Sequence, residues 1–194
     1  MADHHDVTAR LPTPAAAAIG VSLRVMGDSG ADLDFAARVY SSTRLEELSI
    51  TGWPPAQIDA FIAQQHAAQH HHYSTYYPDL ARYTIVVHGE DAGRLYLYAG
   101  TRDLRIVDIA LLPSARGQGI GGALLADVTA AAAQAGLTAS IHVERENPAR
   151  RLYARAGFVV IGTANEFYDL MAWHPPGMPA PASPVPADQK NTAS

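Results

Sequence analysis

The period of the apolar positions changes along the chain, and each change marks an element. Val21, Leu23 and Val25 alternate with polar neighbours, which predicts a first strand over 19–26. Leu33, Ala36, Ala37 and Tyr40 then recur at helical spacing and predict a helix to about Ser42. Ser29, followed three residues later by Asp32, opens it in a capping-box pattern with Asp in place of Glu. Trp53-Pro54-Pro55 breaks the chain before a second helix over 56–73, carried by Ile58, Phe61, Ile62 and Gln65. Strands over 82–88 and 94–99 are joined by Gly89-Glu90-Asp91-Ala92-Gly93, read as a hairpin loop. Ile106, Val107, Ile109, Leu111 and Leu112 form a nearly continuous apolar run, which suits a strand covered on both faces, and Pro113 ends it. A helix over 119–135 follows, with Ile120, Leu124 and Val128 on one face and Gly136 at its end. A strand over 139–144, a helix over 148–156 stopped by Gly157, and strands over 158–161 and 166–173 complete the order.

This order is α/β with a mixed sheet. The strands up to the central one form an antiparallel meander, and the strand over 139–144 returns parallel to it after a helical crossover. Residues 1–18 are rich in Ala, Pro and His without periodicity and read as a disordered leader. Residues 19–174 read as one domain, and 175–194 as a Pro-rich flexible tail.

Composition narrows the function classes. The net charge is −5 with no basic block, which argues against a nucleic-acid partner. There is no cysteine, so disulfides, thiolate nucleophiles and Cys-ligated zinc are excluded. No run of about 18 apolar residues suggests a membrane span, and a cytoplasmic protein is expected. His66 and His70 lie at i, i+4 spacing, but no third ligand is apparent and no metal is expected.

The most informative stretch is Leu104 to Leu125. Its strand runs into Arg116, Gly117, Gln118, Gly119, Ile120, Gly121 and Gly122, where a helix begins. The first N–H groups of a helix have no partner inside it and carry the positive end of its dipole, which makes an anion site. The Walker pattern is absent, because Gly122-Ala123 stands where Lys-Ser/Thr is required. No ribose-binding acid follows at the dinucleotide-fold distance.

The spacing Arg116-x-x-Gly119-x-Gly121 resembles the pyrophosphate loop of the GNAT acetyltransferase superfamily. The segment from Asn147 through Tyr153 to Gly157-Phe158 resembles the family's later strand–helix–strand portion. The resemblance extends over Val21 to Trp173 and is sharp over 104–158. It implies a single-domain acyl-CoA N-acyltransferase fold, with about seven strands and about four helices. It further implies that the central and following strands splay apart, that acetyl-CoA is the co-substrate and that an amine is the acceptor, attacked directly in a ternary complex. Family members often pair as dimers, so a homodimer is implied.

In that reading the backbone of residues 116–122 holds the pyrophosphate, and Ile109 and Leu111 offer backbone groups to the pantetheine arm. Asn147 both caps the next helix and touches the arm. Acetyl transfer to an amine requires a base for the amine, stabilisation of the oxyanion and an acid for the leaving sulfur. Tyr153 occupies the family's acid position. For the base, Asp108 is a lone carboxylate in an apolar strand, which must be paired or used, with Ile106 and Ala110 on its face. His142 and Glu144 share a face of the next strand. Glu46, Glu47 and a water relay remain alternatives. Trp53 and the run from His66 to Tyr77 are where the resemblance puts acceptor specificity; packing is the simpler role. A non-catalytic acyl-CoA-binding or sensing module and a binder of another phosphate ligand are the competing readings.

Overall fold

A computed structural model describes residues 7–8 and 11–178. Seven strands form one sheet: β1 (Val21–Val25), β2 (Ala81–Val87), β3 (Glu90–Ala99), β4 (Asp103–Leu111), β5 (Thr138–Glu144), β6 (Val159–Thr163) and β7 (Tyr168–Trp173). Their order is β1-β2-β3-β4-β5-β7-β6. Every neighbouring pair is antiparallel except β4–β5, which is parallel as the crossover requires. The helices are α1 (Pro14–Ala17), α2 (Gly30–Ser49), α3 (Pro55–Tyr76), α4 (Ile120–Gln134) and α5 (Arg150–Arg155).

Two cores sandwich the sheet. The larger joins Leu95, Leu97, Leu104 and Ile106 to Leu124, Leu125 and Val128 of α4. The smaller packs Tyr96 against Phe35, Ala36 and Val39 of α2 and against Met26. Local signals in the sequence act as expected at several ends. The Ser29 hydroxyl accepts from Asp32 N, while the Asp32 carboxylate reaches back to Gly27 N rather than to the cap itself. Gly136, at φ 68°, ends α4 in a Schellman motif, with Leu137 N donating to Ala132 O and Gly136 N to Ala133 O.

Three expectations are corrected. The leader over 1–18 is not disordered over its described part. Pro14–Ala17 is a helical turn whose first N–H groups, from Ala15 and Ala16, donate to the carboxylate of Asp127, each at 2.9 Å. Asp127 is buried within α4, and Leu11 and Ala16 join the larger core. A carboxylate that would be costly to bury alone is thereby satisfied by two helix-start donors. Residues 1–6, 9–10 and 179–194, with most of the Pro-rich tail, lie outside the described residues.

The hairpin between β2 and β3 is also tighter than expected. His88 and Gly89, at φ 50° and 90°, make a two-residue turn, so Glu90 to Gly93 belong to β3. A bulge at Ala92 takes up the extra residue. Gly93 is required there, because a Cβ would stand 2.4 Å from Ala110 O. Finally, α2 continues to Ser49 and α3 to Tyr76, beyond where the apolar periodicity fades. Among the described residues no helix is long and apolar enough to cross a membrane.

Candidate active site

The parallel pairing of β4 and β5 stops early. It runs from Asp103–Thr138 to Ile106–Ile141 and then ends, leaving the C-terminal half of β4 unpaired on that edge. Backbone groups of Ile109 and Leu111 lie along this half. A bulge at Val107 lets Leu97 face Ile106 and Tyr96 face Asp108. The extra residue inverts the alternation, so Asp108 shares its face with Ala110 but not with Ile106, against the expectation from simple period two.

The loop beyond β4 has the features of an anion site. Gly117 and Gly119 have φ of 75° and 80°, and open space lies where their Cβ atoms would be. Gly119 is the N-cap of α4, with no side chain capping the first turn. The leading N–H groups of α4 therefore have no capping side chain on them, which is what an anion site at a helix start requires. Gly121 has a different requirement: a Cβ would stand 2.9 Å from the end of Leu152 on α5. Gly122 lies beside the same leucine, Ile120 is buried, and the Gln118 amide donates to Ser114 O. Arg116 does not turn its donors to the loop. Its Nε donates to Leu111 O at 3.0 Å and its Nη2 to Ser42 O of α2 at 3.2 Å.

Tyr153 is set by the end of α5. Gly157, at φ 89°, closes a Schellman motif in which Phe158 N donates to Tyr153 O and Gly157 N to Ala154 O. The hydrophobic contact that accompanies this motif is Phe158 on Tyr153, with ring centroids 6.2 Å apart. The Leu-Tyr-x-x-x-Gly-Phe pattern thus has a folding reason as well as a chemical one. Tyr153 is buried, and burial, with the charge of Asp108 adding to it, raises its phenol well above the usual value.

Asp108 is paired. Arg94 Nη2 donates to its Oδ2 at 2.6 Å, and the two side chains are 3% and 13% exposed for Arg94 and Asp108. Arg94 also donates to Ala36 O of α2 and to Gln69 Oε1 of α3, and its guanidinium lies over the rings of Tyr40 and Tyr96. One buried cation thus joins both helices to β3 and β4. His66 sits at this cluster with its ring 5.4 Å from that of Tyr40. Burial, then the charge of Arg94, lowers its imidazole below the usual value.

Glu144 lies at the end of β5, where its Oε1 accepts from the Tyr168 hydroxyl at 2.7 Å and from Arg44 Nη2 at 3.3 Å. Burial, then Glu144, pushes the Tyr168 phenol up to about 12. His142 is separate from this group. Its charged neighbours are Arg105 and Asp103, its Nε2 is buried with no partner among the described residues, and burial followed by Arg105 pushes its imidazole down to about 4. Asn147 Oδ1 accepts from Ala149 N at 2.9 Å, a local turn ahead of α5 rather than the expected cap, since Ala149 is the N-cap and no side chain caps the helix.

The charge of Asp108 is thus felt at Tyr153, Glu144 is held to α2 through Arg44, and the charged neighbours of His142 lie at the start of β4. Sequence reasoning missed Arg94, Arg44, Gln69 and Tyr168. Arg94, alternating with Tyr96 and Tyr98, was the available signal for a buried cation. Two hollows adjoin the site. One, of about 240 Å³, lies between α2 and α3 and includes Tyr40, Arg44, Glu47 and Phe61. The other, of about 640 Å³, is lined by Glu144, Arg145, Glu146, Glu166, Phe167 and Tyr168. Trp53 packs edge-on to Phe61, with ring centroids 5.5 Å apart. Among the described residues no group of three or more His, Cys, Asp or Glu converges as metal ligands would.

A family model described as an acetyltransferase (GNAT) domain matches residues 79–160. No curated protein matches the sequence. Among solved structures, the PaiA N-acetyltransferase of Thermoplasma acidophilum in complex with coenzyme A is similar at 17% identity, over 79% of this chain and 98% of that one, with a TM-score of 0.59. RimL, a ribosomal L7/L12 alpha-N-protein acetyltransferase, is similar at 17% identity, over 84% and 93%, with a TM-score of 0.58. A mutant of the spermidine N-acetyltransferase SpeG from Vibrio cholerae is similar at 20% identity, over 79% and 93%, with a TM-score of 0.50. At these identities the likeness is one of fold.

Proposed function

We propose that this chain, which matches a GNAT acetyltransferase domain over residues 79–160, carries out N-acetyl transfer from acetyl-CoA to a primary amine by direct attack in one ternary complex. The observation that carries this is the parting of β4 from β5 beyond Ile106 and Ile141, beside the uncapped start of α4. The N–H groups over Gly117 to Gly122 hold the pyrophosphate. The unpaired edge of β4 at Ile109 and Leu111, with the side-chain amide of Asn147, holds the pantetheine arm. When bound, acetyl-CoA supplies the thioester carbonyl.

The protein's own groups do the rest. Tyr153 Oη keeps its proton because burial disfavours the phenolate, and it is the proton donor for the leaving thiol. Arg94 occupies Oδ2 of Asp108, and Oδ1 has no partner among the described residues. That free oxygen is the proton acceptor for the amine, directly or through water. Glu144 has its Oε1 already engaged by Arg44 and Tyr168 and orients the acceptor instead. His142, facing Arg105, takes no part.

Two of the similar structures are a ribosomal L7/L12 alpha-N-protein acetyltransferase and a spermidine N-acetyltransferase. Both a peptide and a small amine are therefore in range. The test is a panel of amines and peptide N-termini incubated with acetyl-CoA while thiol release is followed. Amine-dependent release supports transfer. Binding of acetyl-CoA without release for any amine would leave a sensing module in its place.

A further inference from the structure

Arg116 stands at the mouth of the phosphate loop, where a cation would ordinarily face the anion. It is exposed to solvent, yet its guanidinium is a fork between two backbone carbonyls far apart in sequence, Leu111 O at the end of β4 and Ser42 O in the middle of α2. Holding a long side chain in one geometry at the surface costs conformational entropy, so the arrangement needs a partner that gains by it.

The turn of α2 that it grips is that partner. Ser42 and Thr43 bend their hydroxyls back onto Val39 O and Tyr40 O, a pattern that competes with the helix ladder and bends helices. Tyr40 before it lies under Arg94, and Arg44 after it reaches Glu144. Tyr40, Arg44 and Glu47 line the hollow between α2 and α3. The gripped turn is thus the wall of the acceptor side, while Leu111 belongs to the edge read above as the pantetheine site.

We propose that Arg116 is a positioning residue rather than a phosphate ligand. It fastens the acceptor-side turn of α2, residues 40–47, to the cofactor end of β4. This rests on the reading of the loop as the acetyl-CoA site. The fork is what matters, because two carbonyls must be reached at once. A lysine ammonium keeps the charge but lacks that planar two-pronged geometry.

Arg116→Gln and Arg116→Lys test it together. Amide hydrogen exchange of residues 40–47 in the free protein is expected to quicken about tenfold or more in both variants. The KM for the amine found by thiol release is expected to rise about tenfold, while acetyl-CoA affinity stays within about threefold of wild type. Unchanged exchange over 40–47 in both variants overturns the proposal. So does a lysine variant that matches wild type while the glutamine variant loses about tenfold in acetyl-CoA affinity, since charge on phosphate then explains Arg116. If wild type itself fails to bind acetyl-CoA, the loop reading falls, and the exchange arm still decides the latch.

Discussion

Arg94 and Asp108 form an ion pair at 2.6 Å in which the guanidinium side chain is only 3% exposed. Removing one member of a buried pair leaves the other charge without compensation. Arg94→Met is expected to lower stability by about 3–5 kcal/mol, and pairing it with Asp108→Leu to recover part of that loss. Urea denaturation of the two variants checks this. Equal stability of Arg94→Met and wild type would show that the pair is not held in the interior.

Tyr153→Phe removes one oxygen from a ring held by Phe158 and the Schellman turn, so the fold is expected to survive. Turnover is expected to fall by about 10²–10⁴-fold, with acetyl-CoA affinity nearly intact. Because burial and Asp108 raise the phenol, its acid form persists above the ordinary tyrosine range. The wild-type rate should therefore show no alkaline loss near pH 10, the usual tyrosine value. A full-speed Phe variant, or a fall in rate near that pH, would contradict the role.

His142 gives a pH dependence of stability. Its folded value is pushed down to about 4, below the usual 6.5, first by burial and then by Arg105. The unfolded chain therefore binds the extra proton first as pH falls. The contribution is complete above pH 6.5 and is lost progressively down to about pH 4. Thermal unfolding across that window should fall more steeply for wild type than for His142→Leu, by about 1–3 kcal/mol in total. Parallel curves would count against the burial of a neutral imidazole.

Asp127 tests the docking of the N-terminal turn. Asp127→Ala withdraws the acceptors of Ala15 N and Ala16 N and is expected to cost about 1–3 kcal/mol. It is also expected to open the segment around Leu11 to Ala17 to limited proteolysis. Cleavage there at the wild-type rate would show that other contacts hold it.

Where the residues act locally, the sequence reads well. The capping pair Ser29 and Asp32, the closing glycines Gly136 and Gly157 and the glycine loop after Leu111 each declare themselves through a φ value or an orphan N–H group. Where one residue is inserted, they do not. Val107 is apolar like its neighbours, so nothing in the run 104–112 marks a bulge, and Asp108 is assigned one wrong face-mate in consequence. Charged residues inside strands are the other blind spot. Asp108 alone signals a need for a partner, but Arg94 supplies it from 14 residues away across the β3–β4 register, which the bulge at Val107 shifts. The N-terminal alanines lack periodicity because a single turn has none to show. What orders them is Asp127, more than a hundred residues later.

The central claim is that the loop from Gly117 to Gly122 holds acetyl-CoA. Its most direct test is a calorimetric titration of the full chain with acetyl-CoA, with ATP and NAD as controls. Saturable binding of acetyl-CoA and none of the nucleotides is the result expected. Failure to bind acetyl-CoA, or a preference for ATP or NAD, would contradict it, and the acetyl-transfer mechanism would fall with it.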